Sequence, residues 1–268
     1  MKSHSYAWAR ALSFLSVVEE FLKRSDTFLQ NLVEGKNLRT YFINANIAIL
    51  VLSAIYGATM GTYSGGVQIL YSAIKAPLLL LISLYLTLPS YHVLYSLLGG
   101  KQTVGQTSML LLFGFTIMST VLIALVPVNL FFILTTMKSS SAHEFTALLN
   151  IAIFTLGGLF ALTHFIKGAK ALFREPSENW KPAFLLGSVI LMFVGTQLTW
   201  VLRPFFNYYP WFIRPLESNF YTAVGGLILH SLGIFGPLII AIGLIFVVWL
   251  FYSELLPTRE GESTRPQG

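Results

Sequence analysis

Five histidines, eleven carboxylates and no cysteine are the side chains with which this chain could hold a metal, move a proton or attack a carbonyl. The histidines stand at positions 4, 92, 143, 164 and 230, and none shares a helix face with another at ligand spacing. His143-Glu144 resembles the start of a zinc-hydrolase helix, but Ala147 stands where the second histidine would be needed. His92 and His164 could form a metal- or haem-ligating pair only across helices. The simpler reading is two interfacial histidines bonded to their neighbours. The absence of cysteine excludes disulfides, thiolate-bound zinc, iron–sulfur clusters and thiol catalysis. No glycine-rich phosphate loop is present either. The residues predict no catalysis, no metal and no cofactor.

The most conspicuous polar cluster is "QLTWVLRPFFNYYPWFIRPLESNFY", residues 197–221, in which nine of 25 residues are aromatic. Gln197, Trp200 and Arg203 recur at steps of three, so a helix places them along one side. Arg203 precedes Pro204, which biases it away from helical geometry and ends that helix. Two readings of the stretch stay open. In one it is an aromatic belt whose Arg203 and Arg214 meet lipid phosphates. In the other Arg203 pairs with Glu217 beneath an aromatic cover, and the loop becomes a partner- or lipid-binding surface. Lys75 is a third candidate, expected at the entrance to a membrane span after a short helix, with Pro77 in the first turn, where its ammonium contacts headgroups.

The elements that must carry these residues follow from composition. Of 268 residues, 55% are hydrophobic and 10% charged, and the mean hydropathy is +0.70. Soluble domains carry about 25% charged residues. Apolar runs of roughly 20 residues, enough to cross a bilayer, recur along the chain. The fold class is therefore all-α, a polytopic transmembrane helical bundle. Spans are expected at 41–60, 76–98, 104–126, 148–166 and 183–202, with "NLFFIL" extending the third. A sixth lies within 223–252, unless Gly236-Pro237 makes that segment interfacial and leaves five.

Residues 1–40 form a separate amphipathic region. Trp8, Leu12, Leu15, Val18 and Leu22 define an apolar helix face, and Glu19/Lys23 and Glu20/Arg24 a solvated one. Ser25-Asp26 is expected to cap a second helix carrying Phe28, Leu29, Leu32 and Val33, which Gly35 ends. This region lies on the membrane surface or packs on the cytoplasmic helix ends. The transmembrane domain is 41–253, and 254–268 reads as a disordered cytoplasmic tail. Gly157-Gly158 is expected to admit a neighbouring helix, and the other Gly-Gly pairs to mark loops or turns.

With the N-terminus cytoplasmic, 13 of the 17 Lys and Arg residues fall inside, as the positive-inside rule prefers. The net charge of +6 then reflects topology and calls for no nucleic-acid partner. No carboxylate lies mid-span. Asn44, Asn46, Asn129, Asn150 and Gln197 are available as bonds between helices.

"VGTQLTWVLRPF" (194–205) and "KAPLLLLISLYLTLPS" (75–90) resemble bacterial integral membrane proteins loosely grouped with the Yip family, the Rab-interacting membrane proteins of the early secretory pathway. The resemblance covers roughly residues 41–205. It implies a cytoplasmic N-terminus, about five membrane helices and a bacterial inner-membrane location. The tyrosine- and glycine-rich N-terminal motif of the eukaryotic members is absent here, so it implies fold and location rather than trafficking. Together these readings predict a scaffold or accessory subunit without catalysis, whose partners are the bilayer and either other membrane subunits or further copies of itself. The alternative is a small-molecule or ion transporter, whose polar path Asn44, Asn150, Gln197 and Arg203 would have to line.

Overall fold

The computed structural model describes residues 14–136, 139–172, 180–203, 212, 219–233 and 235–255. They are helical throughout, with no strand among the described residues. The helices are α1 (14–23), α2 (Ser25–Glu34), α3 (Leu38–Gly61), α4 (Val67–Leu97), α5 (Val104–Ala124), α6 (Val126–Thr135), α7 (Ser140–Leu172), α8 (Trp180–Leu202), α9 (Phe220–Leu232) and α10 (Phe235–Leu255). Among the described residues α3, α4, α5, α7 and α8 are long and apolar enough to cross a membrane. The chain is an integral membrane protein with an all-α, polytopic bundle. It divides into two compact units, Met1–Ala223 and Val224–Gly268.

In the first unit α5 is the enclosed helix, flanked by α3, α4 and α7, while α8 packs mainly on α4. Close approach rests on glycine. A Cβ on Gly57 would lie 2.8 Å from that of Ala76, and one on Gly61 would lie 2.9 Å from the backbone nitrogen of Ile69. Gly57-x-x-x-Gly61 is thus the small-residue stripe that joins α3 to α4. Gly114 makes room for Phe165 of α7, and Gly187 for Tyr91 of α4. Of the expected pair, a Cβ on Gly157 would lie 3.2 Å from Met118 of α5, whereas one on Gly158 would meet nothing within 4 Å.

The N-terminal region packs on the bundle through a face turned from the one expected, with Val18 common to both and Trp8 and Leu12 outside the described residues. Leu15 and Leu22 point outward, whereas Val17, Val18 and Phe21 are buried. Both stripes have helical spacing, and the buried one carries the larger aromatic surface. Phe21 and Phe28 are fully enclosed against Tyr41 and Phe113, with ring centroids 4.4–6.1 Å apart. Val18 packs with Ala48 and Leu52 of α3, and Phe14 rests on that cluster. α1 therefore runs antiparallel along α3. Lys23 pairs with Glu19 at 3.1 Å as its spacing predicts. Glu20 instead accepts a hydrogen bond from the Tyr41 hydroxyl at 2.6 Å, and Asn31 donates to that hydroxyl at 3.0 Å.

α2 starts without a side-chain cap, its N-cap being Arg24 rather than Ser25 or Asp26. Gly35 ends it in the left-handed conformation (φ 71°), where glycine carries no steric cost. Gln106 then joins α2 to α5. Its Oε1 accepts from the Thr103 amide at 2.9 Å in a capping box at the start of α5. Its Nε2 donates to the carbonyls of Leu32 and Val33 at 2.9 and 3.1 Å, satisfying the end of α2.

Several boundaries differ from the sequence reading. α4 is one continuous helix of 31 residues, so Lys75 lies inside it and Pro77 is far beyond its first turn. Pro77 and Pro89 each remove one intrahelical hydrogen bond, freeing the carbonyls of Ala73 and Tyr85. The third span stops at Ala124, and "NLFFIL" belongs to the separate α6, which has Pro127 in its first turn. The expected sixth span divides into α9 and α10 at Gly233 (φ 54°), three residues ahead of Gly236-Pro237. Gly225-Gly226 lies within α9 rather than in a turn. α10 spans 21 residues and is apolar on all its faces by sequence.

Candidate functional site

Polar side chains gather at the end of the first unit formed by the α3–α4 turn, α6 and the C-terminus of α8. Helix geometry explains why. α3 rises from Leu38 to Gly61, α4 returns, and α8 rises again to Leu202. The α4–α8 register is antiparallel, with Tyr91 beside Ser188 and Ser83 beside Gly195. Extended along both helices, it brings Lys75 to the level of Arg203. The α3–α4 contact at Gly57 and Ala76 sets Tyr56 near the same depth.

Arg203 ends α8 as its position before Pro204 predicts. Its backbone is left-handed (φ 43°), while its amide still donates to the Thr199 carbonyl at 2.8 Å. Such a conformation costs a non-glycine residue about 1–2 kcal/mol, so its surroundings must hold it. The guanidinium lies 3.9 Å from the centroid of the Trp200 ring, and Nε donates to the Trp200 carbonyl at 3.1 Å. Only 6% of Arg203 is exposed. Cation–π contact of a desolvated arginine contributes about 2 kcal/mol, comparable to the backbone cost.

Lys75 is 4% exposed, so very little of it is left for a lipid headgroup. Its Nζ lies 5.2 Å from the centroid of Phe212, which also meets Tyr71 edge-on at 5.4 Å. Phe212 belongs to the aromatic stretch that follows α8. Phe212 itself therefore lies against α4, and its ring covers the lysine. Arg214 and Glu217 lie outside the described residues, as does the proposed Arg203–Glu217 pairing. Gln197 is half-buried on α8, one turn before Trp200.

The remaining polar groups at this end bind helices to one another. The Tyr56 hydroxyl donates to Asn150 Oδ1 at 2.8 Å, joining α3 to α7, and Asn150 Nδ2 donates to the Thr146 carbonyl. Asn129 Nδ2 donates to Thr59 Oγ1 at 3.4 Å, joining α6 to α3. Asn44 instead donates to the Thr40 carbonyl within its own helix. Asn44, Asn150 and Arg203 thus bond to separate partners: the Thr40 carbonyl, Tyr56 with the Thr146 carbonyl, and Trp200. Beneath the polar layer Ile49, Leu52, Leu80, Leu84 and Leu122 fill the bundle.

Among the described residues His92 and His164 have separate partners. His92 meets Thr107 of α5 at 3.3 Å, while His164 lies against Phe113 of the same helix and approaches the Phe160 carbonyl at 2.9 Å. Among the described residues no three His, Asp or Glu side chains gather in a way that could hold a metal ion.

Two features escaped the sequence reading. The Gly57-x-x-x-Gly61 spacing is present in "YGATMG", but a four-residue glycine spacing in one span does not say which helix approaches it. Tyr91 and Tyr95, both almost fully buried with rings 5.9 Å apart, carry no signal beyond their four-residue spacing, and Ser188, the partner of Tyr91, is 97 residues away. No protein-family model, no curated protein and no solved structure matches this chain.

Proposed function

We propose that the chain is a non-enzymatic scaffold or accessory subunit of a complex in the bacterial inner membrane. The observation that carries this reading is the cap at the Arg203 end: Trp200 and Phe212, the latter packed on Tyr71, cover two cationic residues, above hydrogen bonds that join α3 to α7 and to α6. Polar groups spent on joining helices favour a rigid platform over a conduit. The partly exposed aromatic residues at this end, Tyr71 and Phe212, are of the type in which protein–protein interfaces are enriched. The likeness of residues 75–90 and 194–205 to bacterial Yip-like proteins accords with this role.

The orientation follows from charge. Lys23, Arg24, Lys36, Arg39, Lys101, Lys167, Lys170 and Lys181 belong to the α2 end, which contains the α4–α5 turn, the C-terminus of α7 and the N-terminus of α8. Lys75 and Arg203 belong to the other. The positive-inside rule assigns the α2 end to the cytoplasm and the aromatic cap to the periplasmic side.

A photo-crosslinking amino acid in place of Phe212 tests the reading in cells. The expected outcome is one discrete adduct with a second polypeptide, whether a different protein or another copy of this chain. Adducts with lipid alone would contradict it and favour a belt in the headgroup region.

A further inference from the structure

We propose that α1 is inserted in the bilayer, with its outward edge against lipid acyl chains to about half the depth of the membrane domain. The argument starts from register. Phe21 touches Tyr41, in the first turn of α3, whereas Val18 packs on Ala48 and Leu52 and Phe14 rests on the same cluster. From Tyr41 to Leu52 is about 16 Å along a helix rising about 1.5 Å per residue. α3 itself is 24 residues, about 36 Å long. A helix lying flat on the membrane surface would touch only the first turn of α3. α1 instead follows α3 to its middle.

The chemistry along α1 changes in step with depth. Glu19 and Lys23, linked at 3.1 Å, lie toward the Tyr41 end, where side chains reach the headgroup region. From Phe14 to Val18 the sequence is "FLSVV", without a charge. Leu15 is 47% exposed, close to the 51% of Leu50, a residue in the middle of the α3 span. At that depth an exposed leucine meets hydrocarbon, and an α-helix tolerates this environment because its backbone groups are satisfied internally. The partner of this edge is therefore the acyl region of the bilayer. The inference rests on the membrane character of α3 but is independent of any scaffold role.

A cysteine-free chain permits a direct test. Single variants Leu15→Cys, Lys23→Cys and Leu50→Cys, each on an outward side chain, are purified into phosphatidylcholine nanodiscs and treated with a charged maleimide. A thiol in hydrocarbon neither ionises nor meets the reagent, so Leu15→Cys and Leu50→Cys are expected to react at least about tenfold more slowly than Lys23→Cys. All three should label fully in SDS, and each should elute like the parent by size exclusion. Reaction of Leu15→Cys at the rate of Lys23→Cys would overturn the proposal. So would protection that is present in native membranes and lost in nanodiscs, since a protein partner would then be covering the edge.

Discussion

At the scale of single residues, glycine and arginine show how little chemistry can set much structure. Gly57 is useful because it lacks a side chain: any Cβ there collides with α4 backbone at Ser72 and with Ala76. Gly57→Leu is expected to lower stability by about 3 kcal/mol, the upper range for overpacking. Gly158→Leu, where a Cβ meets nothing within 4 Å, should leave stability at or above the parent value. Thermal unfolding of both variants in the same detergent decides it, and equal losses would contradict the packing described. Arg203 illustrates legibility in the opposite sense. Its helix-ending role was readable from Pro204, and its neighbourhood with Trp200 from the i,i+3 spacing. Lys75 was not readable, because its burial depends on Phe212, more than a hundred residues further along the chain. Sequence spacing reports neighbours on one helix and is silent about a ring arriving from elsewhere.

At the scale of elements, hydropathy located the five long helices well because crossing a bilayer imposes length and composition on each of them separately. It misplaced their ends. α4 extends nine residues before the expected start of its span at Ala76, and α7 eight before its own at Leu148, since a helix need not stop where hydrocarbon does. The N-terminal region was read correctly as amphipathic helices, but its buried face was not, as two stripes of similar spacing compete and tertiary contact with Tyr41 and Phe113 chooses between them. The joint between α2 and α5 is the feature that most depends on one side chain. Gln106 supplies the capping box of α5 and a donor to two carbonyls at the end of α2. Gln106→Ala is expected to cost about 2 kcal/mol, from a lost cap and lost bonds to α2 carbonyls. Protease sensitivity around Gly35 should rise with it. Unchanged proteolysis of the α2–α3 turn would show that the aromatic cluster alone holds this region.

At the scale of the whole molecule, the first unit is a membrane bundle with a basic end carrying α2 and an aromatic end carrying Lys75 and Arg203. Some of its interior polar groups join helices, as Tyr56 does with Asn150, while others, such as Ser53, Thr87 and Ser119, bond within their own helix among buried apolar side chains. A chain sparing with charge thus keeps two cations, Lys75 and Arg203, almost wholly buried under aromatic cover. Composition alone indicated a membrane protein and excluded cysteine chemistry. It could not assign a role, because docking surfaces and transport paths draw on the same residue types and differ only in where those residues converge. The most direct test of the scaffold account is the mass of the particle purified from native membranes in mild detergent, with each co-purifying protein identified. A particle containing a stoichiometric partner or further copies of this chain is the predicted result. A single chain of 29.8 kDa within its detergent micelle, with no partner at stoichiometric amounts, would contradict it.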